Sequence, residues 1–174
     1  MKLFIIITLL IFSVSCAHKH KVYSKKGIAI MNPTKGSKVK GVIHFEKLDD
    51  HKMKISGVIT GLKANSKFGF HIHQKGDCSS DDGKSAGGHF NPKEKSHGGP
   101  ESKDRHVGDL GNLQSNEKGV AHYDMVFEHM SLGHPGYGIA GRAVIIHADE
   151  DDLKSQPTGN AGARKACGVI GVVE

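Results

Sequence analysis

The segment FGFHIH, residues 68–73, carries a large apolar side chain at every second position. Strict alternation of this kind predicts a β-strand with one face buried in a core. Residues two apart on a strand face the same way, so His71 and His73 would share the opposite face. Two imidazoles on one face can reach one metal ion, although histidines two apart are common on surfaces and indicate little when taken alone.

Similar apolar runs flank this segment on both sides, at residues 27–31, 39–46, 52–62, 120–127, 142–147 and 167–173. The chain of 174 residues has 23 glycines, no tryptophan and no pattern of a long amphipathic helix. Short apolar runs separated by glycine-rich turns predict an all-β domain, either a sandwich or a barrel. The length suits a single domain, and the sequence contains no internal repeat.

The segment from residue 74 to about residue 113 is rich in Gly, Lys and Ser and has no strand pattern. A loop that long inside a compact domain is commonly functional, and something must order it. Its three histidines and one of its carboxylates form a set that suits tetrahedral zinc: His89, His97, His106 and Asp109. His147 closes the apolar run 143–146, where a lone histidine is more often a satisfied core residue than a ligand.

Five stretches, in their order along the chain, resemble the copper-zinc superoxide dismutase family over residues 27–174. They are GFHIH at 69–73, GHFNP at 88–92, HGGP at 97–100, RHVGDLGN at 105–112 and GNAGARKACGVIG at 159–171. The resemblance implies an eight-stranded Greek-key β-barrel or sandwich with a long metal-binding loop and an electrostatic loop. Cys78, five residues after His73, and DLKSQP at 152–157 are similar to the bacterial periplasmic branch.

The resemblance also implies two metal sites. Copper would be bound by four histidines: His71, His73, His89 and His147. Zinc would be bound by three histidines and one aspartate: His89, His97, His106 and Asp109. His89 would therefore bridge the two metals. Asp151 would connect the copper ligand His71 to the zinc ligand His97 through their outer ring nitrogens.

Further roles follow from the same resemblance. Arg164 would sit over the copper and hold the anionic substrate, and Cys78 and Cys167 would form a disulfide. The implied reaction is dismutation of superoxide to oxygen and hydrogen peroxide by alternating reduction and reoxidation of the copper, beside a structural zinc. His89 would take part by leaving the reduced copper, accepting a proton and returning.

A non-catalytic copper- and zinc-binding protein of the cell envelope is the alternative function, because fold alone does not establish activity. Such a protein would be expected to lack ligands or the arginine. Every one of these positions carries the expected residue type, which favours the enzyme. Members of the family are often homodimers, but the sequence does not identify an interface.

Near the N-terminus, Lys2 precedes an apolar run at residues 3–14, which is too short for the ~20 residues of a spanning helix. This predicts a signal peptide at 1–15, a flexible basic tether at 16–26, and export to the periplasm or cell envelope. Two alternatives remain for Cys16: ordinary cleavage, or attachment of a lipid that anchors the protein to a membrane. Lipidation would explain an odd third cysteine in an oxidising compartment.

The formal net charge is +6 at pH 7. The lysines are scattered, with no aromatic residues interleaved, which argues against a nucleic-acid partner. The charge instead suits solubility and a field that attracts small anions such as superoxide. Lys154, in the short segment after Asp151, is the candidate to steer the substrate together with Arg164.

Overall fold

The computed structural model describes residues 24–173. The predicted signal peptide and Cys16 lie outside the described residues, as does most of the predicted tether. The first strand begins at Lys26, one residue before the expected start of the domain. Among residues 24–173, no helix is long and apolar enough to cross a membrane.

Eight antiparallel strands form the regular structure, which confirms the predicted all-β class and the strand number. They are β1 (Lys26–Pro33), β2 (Lys40–Lys47), β3 (Lys52–Thr60), β4 (Lys67–Ile72), β5 (Asp109–Gln114), β6 (Ala121–Glu128), β7 (Ala143–His147) and β8 (Arg164–Val173). A single short 3-10 turn, Lys84–Ala86, interrupts the loop between β4 and β5 in the described part of the chain.

The strands are hydrogen-bonded in the order β5-β4-β7-β8-β1-β2-β3-β6. The two outermost strands, β5 and β6, lie against each other, so the sheet is a nearly closed barrel. Hairpins join β1, β2 and β3, whereas long connections bring β4 beside β7 and β1 beside β8. These crossovers are the Greek-key connections that the family resemblance implied.

The inward faces of the strands fill the barrel with apolar side chains. Phe45, Ile55 and Ile72 are fully buried, and the rings of Phe70 and Tyr123 meet edge to face at 4.9 Å between centroids. Burial of each such side chain contributes about 1.5–3 kcal/mol to folding. The alternation at residues 68–73 has the predicted outcome, because the apolar residues of β4 face this core.

One strand lies where the sequence indicated only loop. Residues 109–114 form β5, which pairs with β4, although the sequence shows no alternation there. The pairing shifts register between Gly69 and His71, and Leu110 and Leu113 are both buried although they are three apart. An irregular strand of this kind breaks the period of two on which the prediction relied.

Two long loops cover the outer face of β4. We call the connection between β4 and β5 the first loop (residues 73–108) and the connection between β7 and β8 the second loop (residues 148–163). A disulfide between Cys78 and Cys167 ties the first loop to β8, which confirms the predicted pair. At Gly108 the first loop returns to β4: a Cβ there would overlap the Ile72 carbonyl, and the Gly108 carbonyl accepts the Ile72 N–H at 2.9 Å.

Candidate metal centre

The first cluster consists of four buried imidazoles, each of which offers a ring nitrogen within 4.8 Å of the others: His71, His73, His89 and His147. His71 lies in β4, His73 directly follows β4 and donates its N–H to the Ala143 carbonyl of β7, and His147 ends β7, which pairs with β4. His89 comes from the first loop, where it forms an isolated bridge to His73. The sheet register therefore places three of the four side chains, and the loop brings the fourth.

The second cluster consists of three histidines and a carboxylate: His89, His97, His106 and Asp109. Asp109 Oδ1 lies 2.8 Å from His89 Nδ1, 3.0 Å from His97 Nδ1 and 3.1 Å from His106 Nδ1. The other carboxylate oxygen accepts the N–H groups of Gly98 and His106. His89 belongs to both clusters, with one ring nitrogen turned toward each.

Three ring nitrogens in these clusters are buried without a hydrogen-bond partner among residues 24–173: His71 Nδ1, His89 Nε2 and His97 Nδ1. Buried polar atoms nearly always have a partner, so these three require an explanation. His97 Nδ1 is 3.0 Å from Asp109 Oδ1 but lacks the alignment of a hydrogen bond. The candidate ligand atoms of each cluster lie within 4.8 Å of one another, as metal ligands require, so the residues present fit copper in the imidazole set and zinc in the mixed set.

The protonation states of the first cluster suit metal binding. Burial lowers the pKa of His147 to about 3, and burial together with the neighbouring His71 lowers the pKa of His89 to about 4. Burial also lowers the pKa values of His71 and His73. These imidazoles are therefore neutral at pH 7 and keep a lone pair available, as a metal ligand must.

The second cluster holds more charge. Despite burial, hydrogen bonds from His106 and His89 and the nearby His97 ring keep the pKa of Asp109 far below its usual range. Burial likewise opposes the charging of His97, but the carboxylates of Asp109 and Asp151 raise its pKa to about 9. A proton is thus attracted to the same position that a cation would occupy, and binding of zinc would release it.

Asp151 connects the two clusters from outside. Its Oδ2 is 2.8 Å from His71 Nε2, and its Oδ1 is 2.9 Å from His97 Nε2, which is the arrangement that the sequence led us to expect. Asn112 holds the Asp151 backbone, because its Oδ1 accepts the Asp151 N–H and its Nδ2 donates to the Asp151 carbonyl. Gly159 (φ +66°) provides the space that the Asp151 carboxylate occupies, because a Cβ at this position would overlap Asp151 Oδ1.

Backbone carbonyls fix the outer nitrogens of the remaining histidines in the first cluster. His73 Nδ1 donates to the Gly87 carbonyl at 2.8 Å, and His147 Nδ1 donates to the Gly162 carbonyl at 3.2 Å. The Nε2 atoms of His73 and His147 then face each other at 3.4 Å. Partners of this kind set the tautomer and the orientation of metal-binding histidines.

Arg164 lies at the mouth of the first cluster. Its Nη1 and Nη2 donate to the carbonyls of Gly83 and Gly87, each at 2.5 Å. It lines a cleft of about 570 Å³ that also reaches His73, His89 and His147. The guanidinium is therefore positioned to meet a small anion that enters toward the histidines.

The cations around this cleft differ from the one expected. Lys35, Lys84 and Lys165 line it, whereas Lys154 does not. Lys35 is paired with Asp81 at 2.8 Å, and Lys84 is paired with Asp82 at 3.0 Å. Within residues 24–173, Lys165 has no carboxylate partner. Lys165 lies inside the quoted stretch 159–171 and Lys84 lies four residues before the stretch 88–92, but no local signal marked either lysine as part of the cleft.

Two further residues that contact the site had no assigned role. Asn112 lies inside the quoted stretch 105–112, so its motif was visible but its function was not. Gln156 hydrogen-bonds both backbone groups of His97 from the second loop. Gln156 lies inside the quoted segment 152–157, but its role was not visible there because its contacts with His97 cross 59 positions of the chain.

Comparison with known proteins places these features in context. The sequence model of a family described as copper/zinc superoxide dismutase matches residues 39–170. A "Superoxide dismutase [Cu-Zn]" of Kluyveromyces lactis is 48% identical over 143 residues, which cover 78% of this chain and 91% of the relative. A "Superoxide dismutase [Cu-Zn] 2" of Brassica juncea is 42% identical over 153 residues, which cover 84% of this chain and 97% of the relative.

A solved structure is similar over most of its length. The crystal structure of the clock protein EA4 superimposes with a TM-score of 0.80 and 41% sequence identity, and the match covers 90% of this chain and 100% of the other. The family match at residues 39–170 includes both histidine clusters and strands β2 to β7.

Proposed function

We propose below which residues of this chain bind each metal, the substrate and the proton. The premise is that the chain belongs to the copper/zinc superoxide dismutase family and is a superoxide dismutase with copper and zinc as cofactors. The first cluster would hold copper, and the second would hold zinc. The observation that carries this assignment is the shared His89, flanked in both clusters by buried nitrogens that have no hydrogen-bond partner among residues 24–173.

The reaction converts two superoxide anions and two protons into one oxygen and one hydrogen peroxide. When bound, copper supplies the one-electron chemistry by alternating between two oxidation states, and zinc keeps a fixed charge. His71, His73 and His147 supply neutral nitrogens from a rigid sheet. The residues of the protein therefore have three tasks: to hold the metals, to capture the anion and to deliver protons.

Arg164 captures the anion. Two of its N–H groups are held by the carbonyls of Gly83 and Gly87, and the guanidinium has further N–H donors for a substrate. Because it stays cationic at any working pH, it attracts superoxide toward the first cluster. The carbonyl contacts fix its position, so little side-chain entropy is lost when the anion binds.

His89 is the residue placed to handle a proton. Its Nδ1 is 2.8 Å from Asp109 Oδ1, while its Nε2 points into the first cluster, beside the cleft. A proton carried on Nε2 would be within reach of a reduced anion held by Arg164. Asp109 keeps the ring from rotating and favours its charged form.

The same proposal covers the location of the protein. The apolar run at 3–14 followed by Cys16 supports export with a lipid anchor in the periplasm or cell envelope, and Cys78 and the segment 152–157 support the bacterial periplasmic type. The Cys78–Cys167 disulfide agrees with an oxidising compartment. Mass spectrometry of the membrane-extracted protein tests the anchor, and an unmodified N-terminus would contradict it.

We further propose that the chain forms a homodimer through the outer face of β1, β3 and β8. Ile30, Val58, Val169 and Val172 are each between 41% and 52% exposed, and Ile30 and Val58 both pair with Val42 of β2. A contiguous exposed apolar patch commonly marks an interface. Analytical ultracentrifugation should detect a dimer that Ile30→Lys dissociates; a monomeric wild-type chain would overturn this proposal.

The test of the enzyme is superoxide consumption by the mature protein loaded with copper and zinc, compared with His147→Ala and Arg164→Gln. We expect His147→Ala to lose copper and activity together. Arg164→Gln should keep both metals but react more slowly, with weaker dependence on salt. Full metal content without activity in the wild-type chain would instead support the copper- and zinc-binding envelope protein.

A further inference from the structure

The side chain of Gln156, in the second loop, makes two hydrogen bonds to the backbone of His97, in the first loop. Its Oε1 accepts the His97 N–H at 2.8 Å, and its Nε2 donates to the His97 carbonyl at 2.9 Å. We propose that Gln156 is a positioning residue for His97 and thereby strengthens zinc binding at the second cluster. This inference rests on the proposed assignment of zinc to that cluster.

These two hydrogen bonds are the ones that hold the His97 backbone in place. His97 lies in a stretch without regular structure, and within residues 24–173 its N–H and carbonyl make no other backbone hydrogen bonds. Leaving such groups buried and unpaired is costly, so the amide of Gln156 replaces the partners that a strand or helix would provide. One side chain satisfies both groups and fixes the direction of the peptide on each side of His97.

The second loop also holds the His97 ring. Asp151 Oδ1 contacts His97 Nε2 at 2.9 Å, while His97 Nδ1 faces Asp109 inside the cluster. Asp151 and Gln156 therefore fix ring and backbone independently. With both contacts in place, His97 Nδ1, which has no hydrogen-bond partner among residues 24–173, is held in a single orientation toward the second cluster.

The second loop is rigid enough to act as a support. The Asp152 carboxylate accepts the N–H groups of Lys154 and Ser155 and the side-chain amide of Asn160, which closes the loop on itself. Gln156 Nε2 also donates to the Lys154 carbonyl at 3.2 Å. These contacts are local and need no ion, so the loop presents Gln156 before zinc arrives.

The proposal predicts a selective effect. Partners that orient a metal ligand typically contribute a factor of about 10–100 to metal affinity. Loss of the Gln156 amide should weaken zinc by this factor and leave copper in place, because His97 is not part of the first cluster. A side chain that only stabilised the fold would instead weaken both metals or neither.

The experiment compares Gln156→Met, which keeps the length of the side chain without its polar atoms, with Lys154→Met as the matched control. The Lys154 side chain makes no hydrogen bond among the described residues and does not line the cleft. Zinc release from the copper- and zinc-loaded mature protein to a chelator is measured, together with copper retention and hydrogen exchange at the His97 amide.

We expect Gln156→Met to lose zinc affinity by about 10–100-fold, to exchange the His97 amide faster and to keep its copper. Zinc affinity within twofold of Lys154→Met would overturn the inference. Gln156→Glu is the second variant if Gln156→Met does not fold: it keeps the acceptor for the His97 N–H, loses the donor to the carbonyl, and should release zinc faster than wild type. If wild type releases zinc as readily as His106→Ala, the zinc assignment itself fails, and the inference with it.

Discussion

The two histidine clusters are adjacent and share His89, yet they are built differently. In the first cluster, His71 lies in β4, His147 lies in β7, and His73 directly follows β4 and bonds β7, so the register of the sheet orients all three. In the second, the ligands lie on the first loop or just after it, and carboxylates and amides from elsewhere hold them in position. The first cluster should keep its geometry without a metal, whereas the second depends on Asp109, Asp151 and Gln156.

The largest expected effect comes from Asp109→Asn, which breaks the second cluster at its centre. The carboxylate contacts three histidines and two backbone N–H groups, and an amide has only one oxygen to offer them. We expect zinc affinity to fall by more than about 100-fold, while copper stays bound. Metal content after dialysis against a chelator checks this, with exposed Asp124→Asn as the control; equal loss of copper would contradict the separation of the clusters.

Gly159→Ala should have the next largest effect, through the link between the clusters. A Cβ at this position would overlap Asp151 Oδ1 and crowd His97 Nε2, and the backbone has φ +66°. We expect a loss of about 2–4 kcal/mol in the free energy of unfolding, measured with denaturant. Gly36→Ala is the matched control, because it has φ +78° with open space around it; the prediction is wrong if the two variants lose equal stability.

The pH dependence of the stability of the metal-free protein should have one sign for His89 and His147 and the opposite sign for His97. His89 and His147 have folded pKa values of about 4 and about 3, below the unfolded value of about 6.5. The unfolded chain therefore binds protons first, and stability should fall as the pH drops from about 6.5 to 4, by about 1.4 kcal/mol per pH unit for each group.

His97 should act in the opposite direction. Its folded pKa of about 9 lies above the unfolded value, so its contribution is complete below about pH 6.5 and is lost as the pH rises through 9. Unfolding of the metal-free protein at pH 4.5, 6.5 and 9 should show both losses, and His97→Asn should remove the alkaline one. A wild-type stability that stays constant from pH 6.5 to 9 would argue against the charged His97.

The smallest expected effect concerns the cleft. Lys165 lines it without a carboxylate partner among the described residues, whereas Lys35 and Lys84 are neutralised by Asp81 and Asp82. We expect Lys165→Gln to slow superoxide consumption about twofold at low ionic strength and to have no effect at high salt, where charges are screened. Lys154→Gln should consume superoxide at the wild-type rate. If both variants are slowed equally, Lys154 also contributes to attracting the substrate.

The strand pattern and the metal motifs were readable from local sequence, each for a physical reason. Alternation at 68–73 indicated that His71 and His73 share a face, because side chains on a strand repeat every two residues. β5 was missed, because its register shift breaks that period. Gln156 and Asn112 were missed because an amide side chain has many partners available to it, and only the folded chain selects one.

By itself, the sequence determined the fold class, the histidines and carboxylate available for metals, and the arginine available for an anion. The tertiary structure decided which atoms of these residues meet. It turned His89 toward both clusters, joined Asp151 to His71 and His97, and placed Lys165 rather than Lys154 at the cleft. These contacts join residues far apart in the chain, and their distances depend on how two long loops pack over β4, which no local pattern of side chains records.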